Sequence, residues 1–197
     1  AQLFHLAEIC LSAIHRKNNF MAKIFITGSS DGLGQLLAGA LVDKGHEVVL
    51  HARNSQRARY AREKLPQASE VIVGDLADLQ ETVEVAAAAN RFGTFDTVIH
   101  NAGVYRASPR ELLAVNSLAP YVLTSLMKRP QRLIYLSSGM HLQGQAKLEY
   151  FREGMNRISY SDTKLHILLL AMAVARKWPG IFSNAVDPGW VPTKMGG

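Results

Sequence analysis

"KIFITGSSDGLGQLLAGALVDKGHEVVL", residues 23–50, decides the fold. The apolar run Ile24-Phe25-Ile26 enters a turn that holds Gly28, Gly32 and Gly34. A helix-length amphipathic stretch follows, and a second apolar run closes the unit. That order predicts two parallel strands joined by a crossover helix. The turn itself, TGSSDGLG (27–34), admits two readings. It is a compact strand-to-helix turn, or it is a seat where backbone N–H groups and a helix dipole meet a phosphate. Its spacing differs from G-x-G-x-x-G, so the turn does not choose between them alone.

The pattern repeats along the chain. Strands are expected at 23–27, 47–51, 70–74, 96–100, 131–137 and 181–187, with helices near 33–45, 55–65, 79–92, 110–128 and 159–178. Alternation of this kind makes an α/β fold with a parallel sheet covered on both faces. A (β/α)₈ barrel needs eight units. The expectation is therefore a Rossmann-like, doubly wound parallel sheet in one domain, residues 21–197. Residues 1–20 are expected outside it, as an upstream extension or as an added docking helix with Leu3, Leu6, Cys10 and Ile14 on one face. Met21 would make a natural start.

Composition excludes several classes. With 48% hydrophobic and 19% charged residues the chain is neither disordered nor membrane-spanning in character. Its longest apolar stretch, Leu165 to Ala175, is interrupted by His166 and is too short to cross a bilayer. The net charge of +6 is dispersed, and its densest cluster, Arg53 to Lys64, reads as the wet face of a helix. No recognition motif accompanies it, so no nucleic acid is expected as a partner. One cysteine, Cys10, allows neither an internal disulfide nor a cysteine-based metal site, and no secretory signal opens the chain; both suit the cytoplasm.

In a doubly wound sheet, ligands bind beyond the carboxyl ends of the strands. After the second strand comes HARN, where Ala52 takes the place of the carboxylate that holds an NAD ribose, and Arg53 favours the 2′-phosphate of NADP. After the third comes GDLAD, whose Asp75 is a cap, a turn residue or a cofactor contact. After the fourth comes HNAG, with Gly103 permitting close approach of a ligand. Asn116 lies in an apolar helical stretch and needs partners, because an unpaired buried amide costs about 1–3 kcal/mol. YLSSGM puts Ser137 and Ser138 at the end of the fifth strand. YSDTK places Tyr160 and Lys164 four apart on one helix face. A phenol titrating near 10 is a poor proton shuttle; a neighbouring ammonium and a cationic nicotinamide are expected to lower it. DPGWVPT (187–193) follows the sixth strand as a rigid ligand-facing loop.

Taken in order, TGSSDGLG, GDL, NAG, the lone Asn, the strand-end Ser, YxxxK and PGWVPT resemble the short-chain dehydrogenase/reductase family over residues 22–197. SSGMH and PGWVPT are closest in style to its retinol-dehydrogenase-like branch. The resemblance implies an NAD(P)-dependent enzyme that moves a hydride between nicotinamide and a small carbonyl or alcohol substrate, without a metal. It implies that Tyr160 is the general acid/base, that Lys164 binds the nicotinamide ribose and lowers the Tyr160 pKa, that Ser138 holds the substrate oxygen and that Asn116 holds a water linking Lys164 to solvent. It carries cofactor contacts onto Gly28, Ser30, Gly32, Leu33, Gly34, Arg53, Asp75, Leu76, Asn101, Ala102 and Gly103. Pro188, Gly189, Val191 and Thr193 fall near the nicotinamide. With Arg53, NADP(H) is expected over NAD(H).

Three departures stand beside it. The segment from Asn101 to Asn116 is shorter than the family's, and the segment from Ser138 to Tyr160 is longer than in many members, so HLQGQAKLEYFREGMNRI is expected to wall the substrate site. The sequence ends at Gly197, ahead of the segment with which members usually continue, which suggests a fragment, a degenerate member or one completed by a partner. A non-catalytic NAD(P)-binding regulatory or scaffold protein of the same fold is therefore the alternative. A homo-oligomer, dimer or tetramer, is expected through the helix at 159–178.

Overall fold

The structure, a computed structural model, describes residues 21–146 and 157–189. Its strands are β1 (Lys23–Ile26), β2 (Glu47–Ala52), β3 (Glu70–Val73), β4 (Thr97–His100), β5 (Arg132–Leu136) and β6 (Phe182–Val186). They form one parallel sheet in the order β3-β2-β1-β4-β5-β6. The connections are α1 (Gly32–Asp43), α2 (Ser55–Lys64), α3 (Leu79–Arg91), α4 (Pro109–Leu113), α5 (Ala119–Leu126) and α6 (Tyr160–Lys177). The doubly wound architecture and all six expected strands are present.

Side chains alternate across the sheet as a strand period of two requires. Ile24, Ile26, Val48, Leu50, Ile134 and Leu136 pack under α1 and α2, against Leu37, Ala38, Leu41, Ala58 and Ala61. Phe25, Val49, Val98, Leu133 and Tyr135 face the other layer, against Val85, Ala86, Leu123, Ile167 and Val174. Burying each large aliphatic side chain stabilises by roughly 1.5–3 kcal/mol, and this two-sided burial holds the strand ends in register. The order reverses between β1 and β4, so the loop after β1 and the loop after β4 open beside each other.

The helix starts follow local chemistry. Asp31 caps α1, Asp78 caps α3, and Ser159 with Asp162 forms a reciprocal capping box at α6. The expected helix 110–128 is broken instead into α4, a π turn at Ala114–Leu118 and α5. Pro120 has no N–H, so the Asn116 carbonyl lacks its i+4 donor, and the Ala119 N–H reaches back to Ala114. Among the described residues no helix is long and apolar enough to cross a membrane. Residues 1–20 lie outside the described residues.

Candidate active site

Gly28 and Gly34 build the cofactor side. Gly28 has φ +62°, and a β-carbon there would lie 2.8 Å from the Ala102 Cα. A β-carbon on Gly34 would lie 2.5 Å from the Gly28 carbonyl and collide with the Asn101 amide. Only glycine lets the turn close on the β4 loop. Thr27 Oγ1 accepts from the Asn101 and Ala102 N–H groups at 3.0 Å each, and Asn101 Nδ2 donates to the Thr27 and Gly28 carbonyls, also at 3.0 Å. The two loops on either side of the switch point are thus one hydrogen-bonded unit, with the first turn of α1 directed outward from it. A helix start leaves N–H groups without intrahelical acceptors, and Ser30, Leu33 and Gly34 stand there. Leu76 is buried beyond β3, while Asp75 turns back on the Ala77 N–H at 2.9 Å as a turn residue; the cap of α3 is Asp78. Arg53 is exposed one residue past β2.

On the other side of the switch point, Ser138, Tyr160 and Lys164 converge. α6 begins at Tyr160, which puts Lys164 one turn on, beneath the same face. Lys164 is 6% exposed; its Nζ donates to the Leu136 carbonyl at 2.7 Å and lies 5.4 Å from the centre of the Tyr160 ring. Burial lowers its pKa from 10.5 to about 8, and the Asp187 carboxylate opposes that fall. The Ser138 hydroxyl lies on the phenol side of the site, where it lowers the Tyr160 pKa, and it also accepts from the Met140 N–H at 3.3 Å. Ser137, by contrast, turns inward and donates to the Lys164 carbonyl at 3.1 Å. The geometry thus separates the two serines.

The Tyr160 pKa is raised rather than lowered: burial is the largest cause, Ser138 opposes it, and Tyr105 and Asp187 add to it. Lys164 aims its Nζ at a carbonyl and is not a cause of the phenol's shift. Asn116 is 1% exposed, but its side-chain amide is fully engaged. It accepts from the Val104 N–H at 2.8 Å and donates to the Val104 carbonyl at 2.9 Å and Thr163 Oγ1 at 3.1 Å. Its main-chain carbonyl receives no i+4 hydrogen bond, because Pro120 has no N–H. A β-carbon on Gly103 would sit 3.4 Å from Asn116 Oδ1 and 3.7 Å from Lys164 Nζ, so these three are gathered.

Three residues were not singled out from the sequence. Tyr105 meets the Tyr160 ring edge-to-face at 4.8 Å, screening it from solvent. Asp187 reaches Gly139, where a β-carbon would lie 3.1 Å from its Oδ2, and its charge acts on both Tyr160 and Lys164. His51 bridges the loops after β1 and β3. Asp187 opens the motif already marked, so its carboxyl was a usable signal; Tyr105 carried none, and His51 showed only as a polar break in the apolar run of β2. Pro188 and Gly189 follow Asp187 at the end of β6, whereas Val191, Thr193 and most of the expected substrate wall, 147–156, lie outside the described residues. A cavity of about 430 Å³ lies elsewhere, beside β3 and α3, and none of these site residues lines it.

Lys164 uses one of three N–H groups on protein and makes no ion pair among the described residues. The glycine turn has no room for side chains at Gly28 and Gly34. Both features fit a dinucleotide laid across the switch point, phosphates at α1 and nicotinamide ribose at Lys164. The class is therefore that of NAD(P)-dependent oxidoreductases on a doubly wound sheet.

The chain belongs to the short chain dehydrogenase family, whose family model matches residues 22–197. It is 48% identical over 189 residues to an uncharacterized oxidoreductase, AN7799, of Emericella nidulans, covering 90% of this chain and 73% of that protein. It is 41% identical over 191 residues to the short-chain dehydrogenase chyC of Penicillium rubens, covering 90% and 74%. Among solved structures it matches a short-chain dehydrogenase from Sphingobium yanoikuyae in complex with NADPH. That match has a TM-score of 0.71 at 22% identity and covers 89% of this chain and 74% of that one. Other matched structures also contain NADP or NADPH. The chain is an NAD(P)-dependent short-chain dehydrogenase/reductase.

Proposed function

We propose that this enzyme prefers NADP(H) and interconverts a carbonyl and an alcohol on a small molecule, with Tyr160 as general acid/base. The observation that carries this is the meeting of Tyr160 and the buried Lys164 ammonium, 5.4 Å from the ring centre, at the strand end that bears Ser138. The chemistry supplied by the bound dinucleotide is hydride exchange with the substrate carbon. In reduction Tyr160 gives its proton to the substrate oxygen, and Ser138 holds that oxygen. Lys164 keeps two N–H groups for ribose hydroxyls. The main-chain carbonyl of Asn116 offers a water the last position in a path that returns a proton through Lys164. Tyr105 and the apolar group Leu112, Leu113 and Ile158 keep bulk water from the phenol.

Three observations support NADP(H). Ala52 leaves no carboxylate at the end of β2, and Arg53 is exposed with no carboxylate partner among the described residues. The acid of the glycine turn, Asp31, is paired with Arg57 at 3.6 Å. NADP or NADPH is also the cofactor in the matched structures named above. Self-association through α6 belongs to the same reading, because Leu169 and Met172 are left exposed on it.

The test is NADPH oxidation against a panel of aldehydes and ketones. Wild type is expected to reduce part of the panel. Tyr160→Phe is expected to bind NADPH normally and lose about a hundredfold or more in kcat. A Tyr160→Phe enzyme within tenfold of wild type removes Tyr160 from the role. NADPH binding without turnover of any carbonyl by wild type removes the proposed reaction.

A further inference from the structure

Gly28 is held from both sides. Its N–H donates to His51 Nδ1 at 3.0 Å, and its carbonyl accepts from Asn101 Nδ2 at 3.0 Å. One side chain from the end of β2 and one from the loop after β4 therefore take both of its main-chain polar groups. The far nitrogen of the imidazole, Nε2, lies 2.9 Å from the Gly74 carbonyl. A carbonyl only accepts, so Nε2 carries the proton and Nδ1 is the acceptor. The His51 main chain also pairs with Ser29 in both directions, at 2.9 Å to its hydroxyl and 3.1 Å from its N–H. His51 is 2% exposed and lies edge-on to Phe25. It shares the core-facing side of the sheet with Val49, Phe25 and Ile72, where packing alone calls for an apolar residue.

We propose that His51 is a positioning residue for the dinucleotide: its neutral imidazole fixes the left-handed Gly28 turn and ties it to the Gly74–Leu76 loop. This rests on reading TGSSDGLG as the phosphate seat. By occupying the Gly28 N–H, the ring leaves the anion to the N–H groups further along, at Ser30 and the start of α1. It also sets the separation between that seat and the β3 loop, where the adenosine half lies in the same reading. An apolar residue at position 51 would bury the Gly28 N–H without an acceptor, and the turn would rotate to find one.

Two near-isosteric substitutions separate the contacts. In His51→Asn the amide oxygen stands where Nδ1 stood, which keeps the acceptor for Gly28 and loses Gly74. In His51→Gln the amide nitrogen stands where Nε2 stood, which keeps the donor to Gly74 and loses the acceptor. The assays are calorimetric titration with NADP, thermal melting and steady-state kinetics with NADPH. His51→Gln is expected to weaken NADP binding about tenfold, which is about 1.4 kcal/mol, and to raise KM for NADPH likewise while kcat stays within about twofold. His51→Asn is expected to stay within about threefold of wild type although it melts lower. Wild-type affinity in His51→Gln overturns the proposal. So does equal weakening in both variants in step with their melting, which is what a merely structural histidine would give. Failure of wild type to bind NADP or NAD overturns the phosphate-seat reading itself, and is distinguishable because it precedes any substitution.

Discussion

Mild acid should strongly destabilise this protein while most of its carboxylates are still ionised. His51 and His100 are buried imidazoles, at 2% and 3% exposure. Burial lowers their pKa values from 6.5 to about 4 and about 3. His100 stacks on Tyr135 at 4.8 Å and shares Thr124 Oγ1 with it; its Nδ1 has no partner among the described residues. Both folded pKa values lie below the unfolded one, so below about pH 6.5 the unfolded chain binds more protons. Their contribution is fully present above that pH and is lost as pH falls toward 4. At pH 5 each unfolded imidazole gains about 2 kcal/mol from protonation while the folded one gains almost nothing. The two together remove about 4 kcal/mol, a large share of a typical 5–15 kcal/mol. Urea unfolding at pH 7.5 and pH 5.0, followed by circular dichroism, measures the difference. His100→Leu should be less stable at pH 7.5 yet lose only about 2 kcal/mol between the two pH values. A wild-type loss under about 1 kcal/mol, or an equal loss in both proteins, refutes the reasoning.

Arg53→Asp should weaken NADPH binding at least tenfold and NADH binding little, read by fluorescence titration; an unchanged preference takes Arg53 out of cofactor selection. Asp187→Asn removes the charge that keeps Lys164 protonated, so the Lys164 pKa should fall below about 8. The alkaline loss of kcat/KM should then move to lower pH, and an unmoved pH–rate profile counts against Asp187. Met172→Glu puts a charge on the exposed face of α6, so light scattering should give the mass of one chain where wild type gives a multiple. A wild type that is already one chain removes the self-association.

The sheet was legible because each strand is a short apolar run and each crossover is amphipathic, and those periods follow from covering a parallel sheet on both faces. Helix 110–128 was legible as helix but not as three pieces. Pro120 announced a disturbance, yet only the main-chain path shows that it is absorbed at a π turn ahead of the proline. Tyr160, Lys164 and Ser138 stood out because polar groups interrupt apolar elements there. Tyr105 looked like any loop aromatic, since the edge-to-face meeting with Tyr160 depends on how the β4 loop folds back. His51 interrupts the apolar run of β2, but sequence does not say that Gly28 and Gly74, more than twenty residues away on either side, will flank its ring.

The Tyr160 phenol is where sequence and structure part most usefully. A tyrosine and a lysine one helical turn apart suggest that the ammonium sits against the phenol and lowers its pKa. Lys164 instead points past the ring to the Leu136 carbonyl, at the floor of the site. Burial then dominates the phenol, Tyr105 and Asp187 reinforce it, and the Ser138 hydroxyl only offsets part. The chain's own groups therefore keep Tyr160 protonated at neutral pH, the form that donates to a carbonyl. The same burial weakens Lys164 as a cation, and Asp187 restores some of that charge. Asp187 acts in opposite senses on catalysis: it makes the phenolate harder to form and the ammonium that accompanies it easier to keep. In the proposed reaction Tyr160 would start protonated above the Lys164 side chain, as a carbonyl reduction requires.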